Sequence, residues 1–485
     1  MMTPDTDATI RQVEALVRRA RNAQKIYERS TQERVDTIVT AAGWAIIEPS
    51  RNRELAELAV EVTGIGNVED KVAKNHRKTL GLLRDLKGTK SVGVISVDEQ
   101  KGIVEIARPV GVVCAVTPST NPGATPANKI INALKGRNAV IVAPSPKGWS
   151  VCARLVGFVH AQLEKAGMEP GLARDLVQVL PAPVTKQSTA LLMRLADLVV
   201  ATGSQANVKA AYASGTPAFG VGAGNVAGIV DETADLEAAA DRIVRSKTFD
   251  NATSCSSENS LVVVDSIRAG LLRALSARGA VLLDAPQKAT LASLMWLEGK
   301  LSPDVIGQSA TVIAERAANR PGADRDAWLA IAESRPRILL VDEDGIGHDH
   351  PFSGEKLSPV LTLFGAADFA QAAAVVERIY AYEGAGHSVG LNTTKDDRAL
   401  ELGLGLPVSR VIVNQPHCIA TGGSFDNGLP FSLSMGCGTW GRNNFSENMG
   451  YRHYLNITRV SRSIAEVVPS EREIFGEFFD AYGSA

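Results

Sequence analysis

The chain has 485 residues, of which 45% are hydrophobic and 21% charged. It is too long for one hydrophobic core and has enough apolar material for about three folding units. The 51 basic and 53 acidic residues give a formal charge of -2, which excludes the strong positive field that nucleic acid or an anionic membrane would require. Met1–Asp7 is acidic, and no apolar run approaches the ~18 residues of a membrane helix, so we expect a cytoplasmic protein.

The five cysteines are odd in number, widely spaced and outside any CxxC or CxxH pair. This spacing does not predict a metal site, so each thiol is interpreted by itself. Cys114 lies in an apolar run and Cys152 in a helical stretch, where free cysteine acts as a small hydrophobe. Cys418 has only His417 beside it, and adjacent side chains of an extended segment point apart.

The first 90 residues predict helices, because apolar residues such as Val35 and Ile38 recur at helical spacing. Thr31 and Asn67 are the predicted N-caps. We expect these helices to pack on their own domain. An amphipathic N-terminal helix is also compatible with docking or with encapsulation in a microcompartment, the less common use.

Alternating residues at 91–97 and 102–107, with a turn at 98–101, predict a β-hairpin. A second alternating stretch at 454–461 resembles an edge strand. It is a predicted partner for the hairpin of its own chain or of a neighbouring subunit. Together they predict a small β element for oligomerisation.

Between residues 110 and 230 the pattern alternates strand and helix, and Gly136, Gly167 and Gly215 end the helices. A helix at 236–249 then opens a second α/β run. This alternation predicts an α/β fold with two doubly wound domains of parallel sheet. The predicted division is 1–90 for the N-terminal helices of the cofactor domain, 91–109 for the hairpin, 110–230 for the cofactor domain, 231–450 for the catalytic domain and 451–485 for the C-terminal edge strand and tail.

The turn Phe249-Asp-Asn-Ala-Thr-Ser-Cys255-Ser-Ser-Glu-Asn259 is small and polar and separates a predicted helix from a predicted strand. We expect Cys255 in this turn to be exposed and mobile. Because the thiolate is the nucleophile, local N–H donors or positive charge should lower its pKa from the ordinary value of ~8.5. Taken by itself, the turn is equally compatible with an ordinary loop cysteine that has no catalytic role.

The segment Thr117-Pro-Ser-Thr-Asn121 follows an apolar strand, at the end where parallel sheets bind ligands. The Asn121 amide is a neutral donor suited to an oxyanion. Its alternative role is an N-cap or Asx-turn before Pro122.

Ala201-Thr-Gly-Ser204 closes a second strand just before a predicted helix. Its N–H groups and the Ser204 hydroxyl are suited to a pyrophosphate, or Ser204 simply caps the helix. Because no GxGxxG motif follows a strand, the usual dinucleotide fingerprint is missing. The glycine-rich Gly220-Val-Gly-Ala-Gly-Asn225 is compatible with a plain tight turn.

In their order along the chain, these motifs resemble the aldehyde dehydrogenase superfamily over almost the entire sequence. The resemblance implies that Cys255 is the nucleophile and that Asn121 belongs to the oxyanion motif. It also implies that Glu355-Lys-Leu-Ser-Pro-Val360 binds the nicotinamide ribose, although Glu355 alone could be a surface acid. The implied cofactor is NAD or NADP, with the binding residues Thr117, Pro118, Ser119, Thr202, Gly203, Ser204, Gly222, Glu355 and Leu357.

Of two departures from the superfamily pattern, one indicates the CoA-acylating branch and the other concerns the cofactor. Hydrolytic members carry a Glu in a Glu-Leu-Gly-Gly motif, where this chain has Gly220-Val-Gly-Ala. Losing such a base typically costs 10²–10⁴ in rate, so a thiol replaces water as acceptor. Ala143 replaces the lysine that usually binds the adenosine ribose, so adenosine must be held differently.

The motifs Ser434-Met-Gly-Cys437-Gly-Thr-Trp-Gly-Arg442 and Arg452-His-Tyr-Leu-Asn-Ile-Thr458 also resemble this branch. So does His387, which could relay the CoA thiol proton or form a structural hydrogen bond. Arg442 stands where a glycine is expected and could meet an anionic substrate, a CoA phosphate or a surface acid. The nearest resemblance is to the acylating sulfoacetaldehyde dehydrogenases, on Thr120-Asn-Pro and Ala143-Pro-Ser-Pro-Lys-Gly148.

The sequence thus predicts oxidation of a short-chain aldehyde, such as sulfoacetaldehyde, through a Cys255 thioester to acyl-CoA. One alternative is a hydrolytic enzyme that releases a carboxylic acid. The other is a catalytically weak homologue that acts as a scaffold. The expected partners are the aldehyde, coenzyme A and a second copy of the chain, in a homodimer or tetramer.

Overall fold

The computed structural model describes residues 4–222 and 224–483. Residues 1–3 of the acidic N-terminal segment and Ala223 of the glycine-rich turn lie outside the described residues. None of the described helices has the length and apolar character needed to cross a membrane. The helices are α1 (Pro4–Tyr27), α2 (Gln32–Ile47), α3 (Pro49–Thr63), α4 (Val68–Leu86), α5 (Ala124–Lys135), α6 (Trp149–Lys165), α7 (Pro170–Leu176), α8 (Lys186–Leu195), α9 (Gln205–Tyr212), α10 (Leu236–Thr248), α11 (Asp265–Ser276), α12 (Ala285–Met295), α13 (Ala310–Ala317), α14 (Arg325–Glu333), α15 (Phe369–Tyr382), α16 (Asp396–Gly405), α17 (His417–Ala420) and α18 (Glu471–Tyr482).

The strands form three larger sheets and one two-stranded ribbon. They are β1 (Gly93–Asp98), β2 (Ile103–Pro109), β3 (Val112–Thr117), β4 (Ala139–Pro144), β5 (Val177–Val179), β6 (Leu198–Thr202), β7 (Ala218–Val221), β8 (Val226–Val230), β9 (Glu258–Val264), β10 (Ala280–Leu282), β11 (Trp296–Leu297), β12 (Lys300–Leu301), β13 (Ile338–Asp342), β14 (Val360–Ala366), β15 (Val389–Asn392), β16 (Val411–Val413) and β17 (Leu455–Ser461).

The five-stranded sheet is parallel, with the order β5-β4-β3-β6-β7. β3 and β4 are buried along their whole length, as expected for apolar strands covered by helices on both faces. The chain adds β4 and β5 on one side of β3, then returns to add β6 and β7 on the other. This reversal opens a crevice at the carboxyl ends of β3 and β6, where ligands of doubly wound sheets bind. The predicted α/β fold is confirmed.

The N-terminal helices pack against the five-stranded sheet. The predicted caps form, since Thr31 Oγ1 accepts from the Arg34 N–H at 3.3 Å and Asn67 Oδ1 accepts from the Asp70 N–H at 2.9 Å. Val35 is fully buried in the same core as β3 and β4. These helices therefore pack on their own chain, as expected.

The antiparallel sheet has β2 at its centre, between β1 and β17. The predicted C-terminal edge strand thus pairs with the hairpin of its own chain. Beyond it, helix α18 places the apolar side chains of Ile474, Phe475 and Phe478 at the surface. This helix is exposed along its whole described length, apart from two half-buried positions.

The second parallel sheet has seven strands in the order β10-β13-β14-β9-β8-β15-β16. β8 lies between β9 and β15 in this sheet. The sequence pattern instead predicts that residues up to 230 belong to the first α/β run. The structure differs at this strand because the chain changes sheets within the glycine-rich turn. β7 and β8 are both short apolar runs, so the sequence gives no indication that the two strands belong to different sheets.

A buried asparagine joins the five-stranded sheet to the C-terminal strand. Asn138 Oδ1 accepts from the N–H groups of Val110 at 2.7 Å and Gly111 at 3.0 Å. Its Nδ2 donates to the carbonyls of Ala133 at 3.2 Å and Tyr454 at 2.8 Å. One side chain thereby satisfies four backbone groups and fixes the start of β17 beside the start of β3 and β4.

We predict that Asn138→Ala lowers the free energy of unfolding by about 3 kcal/mol, because it leaves buried backbone groups without partners. The measurement is the shift of the urea unfolding midpoint, followed by circular dichroism. Asn456→Ala is the matched control, since Asn456 is exposed and makes one bond of 3.3 Å to the Pro109 carbonyl. Equal midpoints for the two variants would contradict the bridging role of Asn138.

Candidate active site

Three of the predicted site residues meet at one edge of the seven-stranded sheet. Cys255 precedes β9, Glu355 precedes β14 and His387 precedes β15, while Gly224 precedes β8. Because these four strands are adjacent and parallel, their amino ends lie at the same edge. A Cβ on Gly224 would lie 3.3 Å from Cys255 Cβ and 3.0 Å from His387 Cδ2. Only a glycine therefore fits between these two side chains.

The turn before Cys255 has a strained backbone. Residues 250–252 have φ angles of 51°, 52° and 58°, in a region that costs a non-glycine residue roughly 1 kcal/mol or more. The fully buried Asp250 carboxylate holds this turn, accepting from Lys74 Nζ at 2.6 Å and from Lys71 Nζ at 3.2 Å. Cys255 is half-buried. The expected full exposure of this thiol is therefore wrong, because the turn is packed and ion-paired.

Burial raises the pKa of the Cys255 thiol, and the negative charge of Glu355 raises it further. The positive charge of Arg410 acts in the opposite direction but is a smaller influence. The expected lowering of this pKa is therefore also wrong for the protein alone. The physical reason is that a turn packed against a sheet edge is desolvated, which disfavours the charged thiolate.

Glu355 is held by backbone contacts on both sides. Its Oε1 accepts from the Gly224 N–H at 3.2 Å, and its own N–H donates to Glu383 Oε2 at 2.9 Å. Burial, and then the charge of Glu383, raise the pKa of Glu355 to about 8. Leu357, two residues on, has a φ of 45°, and its carbonyl accepts from the Gly307 N–H at 2.8 Å. The predicted ribose motif is thus a fixed loop beside Cys255.

We predict that Glu355→Gln speeds alkylation of Cys255 by iodoacetamide several-fold at pH 9. At that pH most of the wild-type Glu355, with its pKa of about 8, is ionised and opposes the thiolate. Removing the charge lowers the thiol pKa, and one pKa unit changes the thiolate fraction tenfold. At pH 6.5 Glu355 is protonated, so the two rates should converge.

The rate is followed by mass spectrometry of the peptide that contains Cys255. Glu315→Gln is the control, because Glu315 is exposed on α13. Indistinguishable wild-type and Glu355→Gln rates at pH 9 would show that the Glu355 charge does not reach the thiol.

His387 is buried beside Cys255 and is neutral over most of the pH range. Its Nδ1 lies 2.7 Å from Ser388 Oγ, while its Nε2 has no hydrogen-bond partner among the described residues. Burial, and then the positive charge of Arg410, lower the pKa of His387 to about 3. The free Nε2 fits the proton-relay hypothesis, and the Nδ1 contact fits the structural one.

Asn121 is oriented by Lys74, which the sequence motifs do not predict to be a site residue. Lys74 Nζ donates to Asn121 Oδ1 at 2.8 Å while it pairs with Asp250. Because Oδ1 faces the ammonium, the amide NH₂ is left for another acceptor, and its one contact is Thr120 Oγ1 at 3.5 Å. Helix α5 has Gly123 as its N-cap and no side-chain cap. The side chain of Asn121 is therefore available as a donor and does not serve as the cap.

A sequence signal for these missed residues does exist. Lys71, Lys74, Arg77 and Lys78 recur at intervals of three and four, which places cations on one face of α4. Asp250 lies within the quoted cysteine turn. Their contact joins residues 176 positions apart and cannot be deduced from either segment alone.

Two of the predicted cofactor-binding turns lie together at the crevice of the five-stranded sheet. Thr117 ends β3 and Thr202 ends β6, and these strands are neighbours. A Cβ on Gly203 would lie 4.0 Å from Pro118 Cβ, so the two turns adjoin. Thr117 Oγ1 is buried without a hydrogen-bond partner in the described chain. A ligand hydroxyl or phosphate at this crevice would satisfy it.

The other predicted cofactor residues line the same region. Ser204 Oγ accepts from the Asn207 N–H at 3.4 Å, so the alternative capping role of Ser204 is present. Ser119 is half-buried after β3. A Cβ on Gly222 would lie 2.6 Å from Gln205 Nε2, which brings the glycine-rich turn against the start of α9.

The glycine-rich turn contains no base. A Cβ on Gly220 would lie 2.6 Å from Val208 Cγ1 and 3.1 Å from Tyr212 Cε2, so an acidic side chain has no room there. The next described positions are Val221, which is buried, and Gly222. The position where hydrolytic members carry a glutamate is therefore held by a tightly packed glycine in this structure.

The remaining cysteines fall into two groups. Cys114 and Cys152 are fully buried in the core, as predicted. Cys437 and Cys418 are also buried, and both influence the pKa of Cys255. Cys418 lies in the short helix α17, which corrects the expected extended segment.

Arg442 has a φ of 58°, a conformation that glycine prefers. This explains why a glycine is expected at its position. Its side chain is exposed.

One acidic group among the described residues is compact enough to hold a cation, although no metal site was predicted. It consists of Glu343, Asp344 and His350. Glu343 already pairs with Lys288 at 3.0 Å and with His350 at 2.9 Å. The group therefore has internal partners and lies apart from the residues around Cys255.

Comparisons with known proteins match this architecture. A sequence profile described as the aldehyde dehydrogenase family covers residues 3–289. The chain is 63% identical to a sulfoacetaldehyde dehydrogenase (acylating) of Cupriavidus necator, over 97% of this chain and 93% of that protein. It is 37% identical to a succinate-semialdehyde dehydrogenase (acetylating) of Clostridium kluyveri, over 96% and 99%. The crystal structure of an acetylating aldehyde dehydrogenase from Geobacillus thermoglucosidasius superposes with a TM-score of 0.88 at 34% identity, over 97% and 100%.

These similarities confirm the resemblance that the motifs indicated, including its acylating branch. They do not assign roles to individual side chains of this chain. Those roles depend on the geometry described above.

Proposed function

Because this chain belongs to the aldehyde dehydrogenase family, we propose that it oxidises a short-chain aldehyde through a Cys255 thioester and transfers the acyl group to coenzyme A. One observation supports transfer of the acyl group to a thiol instead of to water. A half-buried cysteine lies beside a turn in which the hydrolytic base is replaced by glycine and packed against Val208 and Tyr212. Water at this site has no activating group there, whereas a thiol acceptor is intrinsically more nucleophilic.

In the first half-reaction the Cys255 thiol releases its proton to solvent, and its sulfur attacks the aldehyde carbonyl. The oxygen that becomes negative is stabilised by the Asn121 amide and by the Cys255 backbone N–H. Lys74 contributes indirectly, because its bond to Asn121 Oδ1 keeps the NH₂ group directed at the oxyanion. A nicotinamide, when bound, supplies the hydride acceptor that converts the hemithioacetal into a thioester.

In the second half-reaction the CoA sulfur attacks the thioester carbonyl, and the bond to Cys255 breaks. The CoA thiol loses a proton, and the Cys255 sulfur gains one. His387 Nε2 is a suitable relay, since it is neutral and free of other hydrogen bonds within the described chain. From Nε2 the proton would pass on to the leaving Cys255 sulfur.

The residues at the crevice fit a nicotinamide dinucleotide, either NAD or NADP. The unsatisfied Thr117 hydroxyl and the glycine at 203 leave room and a donor for the phosphates. Glu355, fixed by Gly224 and Glu383, is placed to accept from ribose hydroxyls near Cys255. The residues assigned to this cofactor are Thr117, Pro118, Ser119, Thr202, Gly203, Ser204, Gly222, Glu355 and Leu357.

Sulfoacetaldehyde is the first substrate to test, since the relative that is 63% identical carries that name. The product would then be sulfoacetyl-CoA. A homodimer or tetramer is the proposed assembly, supported by the exposed apolar side chains of α18, which a second copy of the chain could cover.

We predict that, without CoA, the enzyme forms NAD(P)H in a single burst of at most one per active site and then stops. Adding CoA should restore steady turnover, because the thiol resolves the acyl-enzyme. The measurement is stopped-flow absorbance of NAD(P)H with sulfoacetaldehyde, followed by mass spectrometry of the acylated Cys255 peptide. Cys255→Ser should abolish both burst and turnover, since a serine hydroxyl there lacks an activating base.

The hydrolytic alternative gives a different result in the same experiment. Glu355 is the observation that favours it, because its carboxylate acts on Cys255 and its pKa of about 8 suits a base. Steady NAD(P)H production with equal release of free acid in the absence of CoA would establish that alternative. The absence of any turnover, with and without CoA, would favour the scaffold alternative.

We also predict that Asn121→Ala lowers kcat by ~10²–10³ with little change in cofactor affinity, because the amide acts on developing charge. Lys74→Met should lower kcat about tenfold with a neutral aldehyde such as acetaldehyde, because the amide loses its orientation. Lys74→Arg should recover part of that loss. Wild-type kcat in Lys74→Met, with a normal melting temperature, would show that the lysine does not position Asn121.

A further inference from the structure

A small cavity lies between helix α4 and the turn that carries Cys255. Asn121 and Ser254, the residue before the nucleophile, form part of one wall. Lys74, Arg77 and Lys78 line it from helix α4. The other lining residues are Phe249, Cys418, Ile419 and Leu433. The cavity therefore connects the proposed oxyanion donor to three cationic side chains.

Two of these cations contact neutral oxygens and aromatic rings but no carboxylate of the described chain. Arg77 lies 5.9 Å from the centre of the Phe425 ring, and Lys78 Nζ lies 5.4 Å from that of Phe431. Lys78 Nζ donates to the carbonyls of Gly422 at 2.8 Å and Gly423 at 3.1 Å. Arg77 donates to the Ile419 carbonyl at 3.4 Å and to Ser424 Oγ at 2.5 Å. Across the described residues, neither side chain takes part in an ion pair.

The surrounding carboxylates do not balance the positive charge. Asp250 serves both Lys71 and Lys74. Asp426 is the acid whose charge acts on Arg77, and it is already hydrogen-bonded by Ser424. The basic face of α4 therefore keeps a surplus of positive charge at the cavity.

Arg77 and Lys78 are half-buried, so their charged forms are partly desolvated and an anion in the cavity would stabilise them. A buried cation without a counter-ion carries a desolvation penalty. Burial, and then the charge of Arg77, lower the pKa of Lys78 to about 7. An anion in the cavity would offset this penalty by supplying charge-assisted hydrogen bonds.

We propose that Arg77 and Lys78 bind an anionic group at the far end of the aldehyde and thereby select short aldehydes that carry a sulfonate or carboxylate. This inference rests on the proposed function, because it places the carbonyl at Asn121 and Cys255. Arg442 is not part of this wall.

The test compares substrates in single variants, Arg77→Met and Lys78→Met, and in the double variant. The measured quantity is the ratio of kcat/KM for sulfoacetaldehyde to kcat/KM for acetaldehyde, both with CoA. We expect the ratio to fall about tenfold in each single variant and at least fiftyfold in the double variant. Arg77→Lys and Lys78→Arg should keep most of the selectivity. Lys87→Met, an exposed cation at the end of the same helix, should leave the ratio unchanged.

Succinic semialdehyde serves as the second anionic substrate and separates the two head groups. If the ratio of kcat/KM for succinic semialdehyde to that for acetaldehyde falls in parallel, the site recognises negative charge. If only the ratio for sulfoacetaldehyde falls, the site recognises the sulfonate. An unchanged ratio for both substrates in the double variant would overturn the proposal. Failure of all aldehydes to support CoA-dependent turnover in the wild type would instead contradict the proposed function.

A binding measurement covers variants with weak turnover. Ethanesulfonate, which lacks the aldehyde, should slow iodoacetamide alkylation of Cys255 in the wild-type protein and in Lys87→Met. It should not protect the double variant, provided that variant keeps its circular dichroism spectrum. Equal protection in all three proteins would place the anion elsewhere and overturn the assignment.

Discussion

The chain crosses from the carboxyl end of β7 to the amino end of β8 within residues 222–225, and this short crossing constrains the entire site. It brings the ligand-binding edge of one parallel sheet against the opposite edge of the other. Gly224 can approach Cys255 and His387 only because it has no side chain. The crevice at the ends of β3 and β6 and the turn of Cys255 are therefore adjacent without any long loop to connect them.

A second constraint is the buried Asp250 carboxylate. Three consecutive residues with positive φ would be unfavourable in isolation, and a buried carboxylate would be more so. The strained turn directs Asp250 at Lys71 and Lys74, which neutralise its charge, and these ion pairs in turn stabilise the strained backbone. The same ion pairs hold helix α4 against the cysteine turn. The position of Cys255 thus depends on residues from the N-terminal helices, distant in sequence from the catalytic sheet.

Much of the scaffold could be predicted because its signals are local. The strands β3, β4 and β6 are continuous apolar runs, and the caps at Thr31 and Asn67 act within one turn. Cys255 and Asn121 were identified by the order of motifs. What could not be predicted depends on long-range contacts: the change of sheet at β8, the desolvation that raises the pKa of Cys255, and the bond from Lys74 to Asn121.

Helix α4 separates two tasks along its length. Lys74 is fixed by Asp250 and Asn121, so it acts on the end of the cavity where the carbonyl oxygen would lie. Arg77 and Lys78, almost one turn further on, contact neutral oxygens of 419–424 and the rings of Phe425 and Phe431, and neither takes part in an ion pair within the described chain. Because different side chains serve the two ends, the distal group of the substrate can change through positions 77 and 78 while the oxyanion donor stays oriented. A change at position 74 would instead act on the end where Asn121 lies, because Lys74 bonds Asn121 and Asp250.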